Sequence, residues 1–299
     1  MSFARTTERR FLFHGNAIAF AAHIRRPDNF FVPTIARSCL PVTGGRAVAS
    51  EEKKTFADLI SFESASSEAT GDYRDLERAA GFTHGNHGEN NVPTSTLVQT
   101  TVTGLKIHVP QPPEKAGAAQ VIRKLEIDRL HVLMENSSTH GEATLFHALQ
   151  VDIDGASVDG HPFRVISNPD LFCEHGTKQK LDDAFRQGDH LHRNHGHHFF
   201  SIDEDYEPGK IPQTNGVIVG TVVKGIEWVN SKAEGCEIIG NQLKIFGIGS
   251  MYFGELIIED DFRRLTLLRF QLGSPYGGEG SVCEAQSNGN WWPPKKAGT

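Results

Sequence analysis

The chain is poor in the features that announce common activities. Its four cysteines, Cys39, Cys173, Cys236 and Cys283, stand far apart and none belongs to a C-x-x-C pair. That spacing gives no zinc-finger or thioredoxin-like pattern. It is expected of reduced, buried thiols, with two disulfides as the other arrangement an even count allows. No apolar run approaches the ~18 residues that span a bilayer, so no membrane span is expected. Positive charge is not in surplus: the net charge is −7 with histidine neutral. Arg9-Arg10, Arg25-Arg26 and Arg263-Arg264 are only pairs, and each reads as a solvated strand end. No nucleic-acid partner is therefore expected, because neutralising phosphates takes clustered Lys and Arg. No G-x-S-x-G or H-E-x-x-H occurs, and the glycine-rich 273–280 stretch lacks the lysine of a phosphate loop.

What the chain does hold is strand signal. Residues 94–109 are rich in β-branched side chains, and 125–135 alternate, with Leu125, Ile127, Arg129, His131 and Leu133 on one expected face. Further strands are expected over 30–32, 143–153, 158–166, 216–229, 237–246, 251–259 and 265–272. Gly240-Asn241 marks a hairpin, and residues 259–262 mark the turn of another. Gly15-Asn16 carries the same hairpin signal between the apolar runs 10–14 and 17–24. That reading is preferred to a signal peptide, although basic residues precede the apolar run. Both faces of 265–272 are partly apolar, which predicts a strand covered on both sides. Two Asp-Gly turns are expected in 151–160.

Helix signals are few: 51–62, with Phe56, Leu59 and Ile60 at helical spacing, a short turn in 72–80, and 177–187. They sit between strand blocks rather than alternating with them. The expected class is mainly β, an antiparallel β-sandwich or barrel with a few short helical insertions. The expected organisation is one large β-rich domain over 1–299, with a subdivision near 115 as the alternative. Residues 61–92 and 111–119 read as loose and 293–299 as a frayed tail, with Trp291 and Trp292 fastening the C-terminus. The C-terminal MYFGELIIEDDFRRLTLLRFQLGSP resembles a module of uncharacterised bacterial proteins, which implies no activity.

The densest chemistry is GDHLHRNHGHHFF, residues 188–200, with five histidines in nine positions. In a strand His190 and His192 share a face, so an H-x-H pair is placed to ligate one ion. His195 and His197 follow as further candidate ligands. Neutral imidazole suits zinc or another first-row transition metal. A solvated polar loop, and a pH switch built on crowded imidazoles, are the competing readings. Cupin spacing fails, because no Glu follows His192 within the next few residues. Six histidines, at 14, 84, 87, 140, 175 and 195, precede glycine and read as turn sites. Cys173-Glu-His175 places a thiol near an imidazole in sequence only.

These observations favour a non-enzymatic binding or assembly protein that uses loops at the sheet ends, with a protein or small-molecule partner or a second copy of itself in a homo-oligomer. The alternative is a metal-dependent enzyme, a hydrolase or non-haem oxygenase, built on His190, His192, His195 and His197. A cytoplasmic location is expected from the hairpin reading of the N-terminus.

Overall fold

A computed structural model describes residues 10–26, 29–73, 93–111, 121–139, 144–186, 217–259 and 261–292. The strands are β1 (Arg10–Arg26), β2 (Phe30–Cys39), β3 (Gly45–Phe56), β4 (Ile60–Tyr73), β5 (Thr94–Pro110), β6 (Ile122–Ser138), β7 (Leu145–Asp154), β8 (Ser157–Val158) and β9 (His161–Ser167). After two short helices, α1 (Asp170–Glu174) and α2 (Lys178–Arg186), come β10 (Ile218–Thr221), β11 (Val223–Trp228), β12 (Cys236–Ile239), β13 (Gln242–Ile245), β14 (Gly249–Ile258), β15 (Phe262–Leu272) and β16 (Gly277–Trp292). They form two antiparallel sheets packed face to face, a sandwich and not a closed barrel. The first sheet runs β12-β13-β14-β15-β16-β1-β2, with β10 also on β14; the second runs β11-β9-β8-β6-β5-β4-β3, with β7 also on β6.

The core is apolar and aromatic. Phe20 of the first sheet meets Phe62 of the second at 5.8 Å between ring centroids and Phe56 at 5.6 Å. At the other end of β1, a Cβ on Gly15 would touch Thr96 and Val98 of the second sheet at 3.3 Å. Position 15 thus faces inward, and so does position 20. Strand alternation cannot put an odd and an even residue on one face, so the phase must change between them.

The change lies between Ala19 and Phe20, both fully buried, and it recurs in the neighbouring strands of the first sheet. Leu267-Leu268 in β15, Val282-Cys283 in β16 and Phe253-Gly254 in β14 are the matching buried doublets. They are cross-strand neighbours: Phe253 opposes Leu268, Leu268 opposes Val282, and Val282 opposes Phe20. Left-handed backbone supplies the step in alternate strands, at Gly254 (φ 65°), Cys283 (φ 53°) and Ala36 (φ 44°). One left-handed residue breaks the two-residue period, much as a bulge does.

The second sheet makes the opposite step at the facing position. There two adjacent residues point outward: Glu52-Lys53, Glu63-Ser64, Thr103-Gly104 and Asp128-Arg129. Ser64 and Thr103 hydrogen-bond on the outer surface at 2.6 Å, and Lys53 pairs with Glu63 there at 3.2 Å. An inward doublet in one sheet therefore faces an outward doublet in the other, and the space between the sheets stays filled.

Several expectations are corrected. Gly15-Asn16 does not turn, because β1 is one continuous strand paired with β2 and β16. Residues 51–62 are not helical: Ala57 and Asp58, both at positive φ, turn β3 into β4. The local helical spacing loses to ladder pairing, and the charges on β3 suit an exposed edge strand. The stretch 61–71 is ordered as β4. In 265–272 the two apolar faces reflect the phase step, so the strand is not covered on both sides. The single face expected for Leu125 to Leu133 breaks the same way, since Leu125 and Ile127 point inward while His131 and Leu133 do not. Arg263 is not a solvated strand end; it is fully buried. Strand β16 was not anticipated. The turns expected at 240–241 and 259–262 and the helix over 177–187 are found, the last with Thr177 Oγ1 accepting from the Lys180 amide at 3.2 Å. All four cysteines are free thiols. Residues 74–92, 112–120, 187–216 and 293–299 lie outside the described residues, so the expectations for 74–80, 83–92, 112–119 and the tail are not addressed.

Candidate functional site

The step in the first sheet has an outer consequence. Where two adjacent side chains turn inward, successive outward side chains on a strand stand three residues apart instead of two. The outward residues that flank the gap are Thr266 and Arg269 on β15, Ser281 and Glu284 on β16, and Ile18 and Ala21 on β1. Cross-strand pairing sets them in two rows, Ala21–Ser281–Arg269 and Ile18–Glu284–Thr266. Residues three apart in a strand are about 10 Å apart, so a trough of that width separates the rows. A groove of about 480 Å³ lies there, walled at the β2 end by residues 31–34.

The wall at β2 is shaped by a second irregularity. The pairing of β1 with β2 shifts between Phe20 and Ala22, so Pro33 and Thr34 together stand opposite the single residue Ala21, one residue extra on the edge strand. Proline is tolerated there because an edge strand has no ladder partner on one side. Phe31 stands 70% exposed at the rim.

The electrostatics of the groove are balanced. Arg269 is held by two bonds to Glu255, 2.6 and 2.7 Å, and its guanidinium lies 3.9 Å over the Tyr252 ring. Donating to the Glu255 carboxylate raises the Arg269 pKa above its usual value. Arg264 Nε lies 3.8 Å from Glu284, and Arg25 meets Glu279 at 2.6 Å. Thr34, Thr266 and Ser281 add hydroxyls. Among the described residues no imidazole or thiol lines the groove, and Cys283, beside it in β16, points to the core. Its Sγ donates to the Leu130 carbonyl at 3.4 Å, and burial pushes its pKa up to about 12. Among the described residues the groove is lined by Arg264, Arg269, Glu279 and Glu284 together with Thr34, Thr266 and Ser281.

The sequence-derived candidates fare differently. His190, His192, His195 and His197 lie outside the described residues, as do His84 and His87. Among the described residues no three of His, Cys, Asp and Glu gather as a metal site. Cys173 and His175 frame the end of α1, and burial of the thiol raises its pKa, opposite to what an activated cysteine needs. His14, expected in a turn, is exposed in the middle of β1. His131 is 9% exposed, bonded through Nδ1 to Thr101 Oγ1 at 2.8 Å, and its pKa is lowered, first by burial and then by Arg129. The groove residues were missed. Their signal was present in β15, where the polar positions move from Arg264 and Thr266 to Arg269 and Gln271 across Leu267-Leu268.

Residues 11–259 match the model of a family described as a domain of unknown function (DUF8256). No curated protein and no solved structure matches the chain.

Proposed function

The chain belongs to the DUF8256 family, and from the shape of its first sheet we propose that it is a non-catalytic binding protein whose ligand seats in the trough. The carrying observation is the inward doublet shared by β14, β15, β16 and β1, which widens the gap between the outward rows and leaves paired charges and hydroxyls along it. This moves the binding surface from the loops at the sheet ends, where the sequence placed it, to a sheet face. The four free thiols support a reducing, cytoplasmic setting, and the C-terminal resemblance supports a bacterial source. The reading is tested by titrating nitrogen-labelled protein with pools of metabolites, oligosaccharides and peptides. Binders are expected to move the amides of 264–269 and 279–284, and Ser281→Trp, which fills the trough from its outer face, is expected to abolish the shifts. Ligands that perturb only other regions, or that are chemically converted, overturn it.

A metal-dependent enzyme is the second reading, favoured by the spacing His190-x-His192 alone. It predicts about one equivalent of a single transition metal in tag-free protein, lost on changing both histidines to alanine. Metal at background level, or retained by that double variant, removes it.

A further inference from the structure

We infer that the trough takes a neutral, unbranched oligosaccharide, an inference that rests on the binding reading above. Shape comes first. The trough crosses β15, β16 and β1 and ends against β2, a span of about 15 Å at the usual spacing between strands. It suits a narrow, extended ligand lying across the strands. An extended peptide is recognised by adding to a free strand edge, with its main chain bonded along that edge. The free edge of β2 runs along the strand direction at the end of the trough, so a ligand lying in the trough crosses the strands and does not follow that edge.

Charge selects further. The charged side chains at the trough are engaged with one another or with close neighbours: Arg269 with Glu255, Arg264 with Glu284, and Glu279 with Arg25. A charged ligand would have to break one of these pairs and leave a partner without its counter-ion. A neutral polyol does not. Its hydroxyls accept from a guanidinium and donate to a carboxylate, and each pair presents both within a few ångströms. Thr34, Thr266 and Ser281 supply shorter partners at the floor and wall. Phe31 supplies the apolar element: its ring, 70% exposed at the rim, can stack on the C–H face of a sugar.

The test uses the full chain and defined probes: cellohexaose, maltohexaose, xylohexaose and chitohexaose, with an oligogalacturonate as the anionic comparator and a pool of unstructured peptides. Calorimetry is expected to show binding of at least one neutral hexaose with no dependence on added salt. Phe31→Ala is expected to weaken it about ten-fold, and Ser281→Trp to abolish it, with thermal unfolding of both variants matching the parent. If no neutral hexaose binds, the ligand class is refuted. If the oligogalacturonate or the peptides alone bind, and Ser281→Trp abolishes that binding, the class is refuted while the groove stands. If a neutral hexaose binds and Ser281→Trp leaves it untouched, the groove itself is refuted.

Discussion

The phase step makes its sharpest prediction at two glycines. Gly254 (φ 65°) lies in the inward doublet of β14, and Gly104 (φ 60°) in the outward doublet of β5. Alanine at either must adopt left-handed backbone, at about 1–2 kcal/mol. The surroundings differ. A Cβ at 254 would stand 2.7 Å from Val222 Cγ2 and 2.8 Å from Val223 Cγ2. Those valines are 0% and 2% exposed, so they have nowhere to swing. A Cβ at 104 would stand 2.5 Å from Glu63 Cγ, on an exposed chain that can rotate away. Overpacking adds about 1–3 kcal/mol at the buried site alone. Gly104→Ala is therefore expected to destabilise by about 1–2 kcal/mol, and Gly254→Ala by about 2–5 kcal/mol. Urea unfolding measures both, with an unchanged denaturant slope as the condition for comparison. A Gly254→Ala variant no less stable than Gly104→Ala would show that the inward doublet is not tightly packed, and the origin of the trough would need another account.

Three further outcomes follow from buried polar groups. Arg263, fully buried, donates to the carbonyls of Glu259, Phe262 and Thr144 and lies 5.3 Å over the Phe146 ring. Arg263→Met takes the guanidinium donors from those carbonyls, of which Phe262 still accepts from the Glu259 amide, and should cost about 3 kcal/mol, read by chemical denaturation; a loss within measurement error would contradict the role. Asn136 is 4% exposed with neither amide atom hydrogen-bonded, so Asn136→Leu should raise stability by about 1–2 kcal/mol, and a clear fall in melting temperature would count against that geometry. The folded state keeps His131 neutral while the unfolded chain binds a proton near pH 6.5. The unfolded state then holds more protons, so stability falls as pH drops from about 6.5 until the folded histidine also protonates. Between about pH 7.5 and about 5.5 the parent should lose more stability than His131→Asn, and equal losses in the two would refute the assignment.

Much of the fold was legible where one rule held over a whole segment. The run 94–109 reads as a strand, and Gly240-Asn241 turns one strand into the next as its residues require. Failure came where two rules met inside one strand. In β15 a two-residue period fits Arg263 to Leu267 and fits Leu268 to Leu272, with opposite phase. A window over both halves sees two apolar faces. Strand β16 was invisible for another reason. Its inward positions include Gly280 and Gly289, where a Cβ would sit 2.3 Å from Phe270 and 2.1 Å from Phe11. The apolar bulk at those points belongs to neighbouring strands, so β16 carries little hydrophobic pattern of its own. The groove was hidden with the step that creates it, and a site composed of residues from β1, β2, β15 and β16 has no contiguous motif.

The step also fixes how the strands can be laid side by side. In a sheet of uniform alternation, a strand that slips by two residues keeps every side chain on its proper face, and little opposes the slip. Here a two-residue slip would set one strand's inward doublet against its neighbour's ordinary alternation and turn side chains in between to the wrong face. The doublets at 19–20, 267–268 and 282–283 thus act as notches that admit one alignment. The long central strands of this sandwich are protected against misregistration during folding by the same irregularity that opens their outer surface.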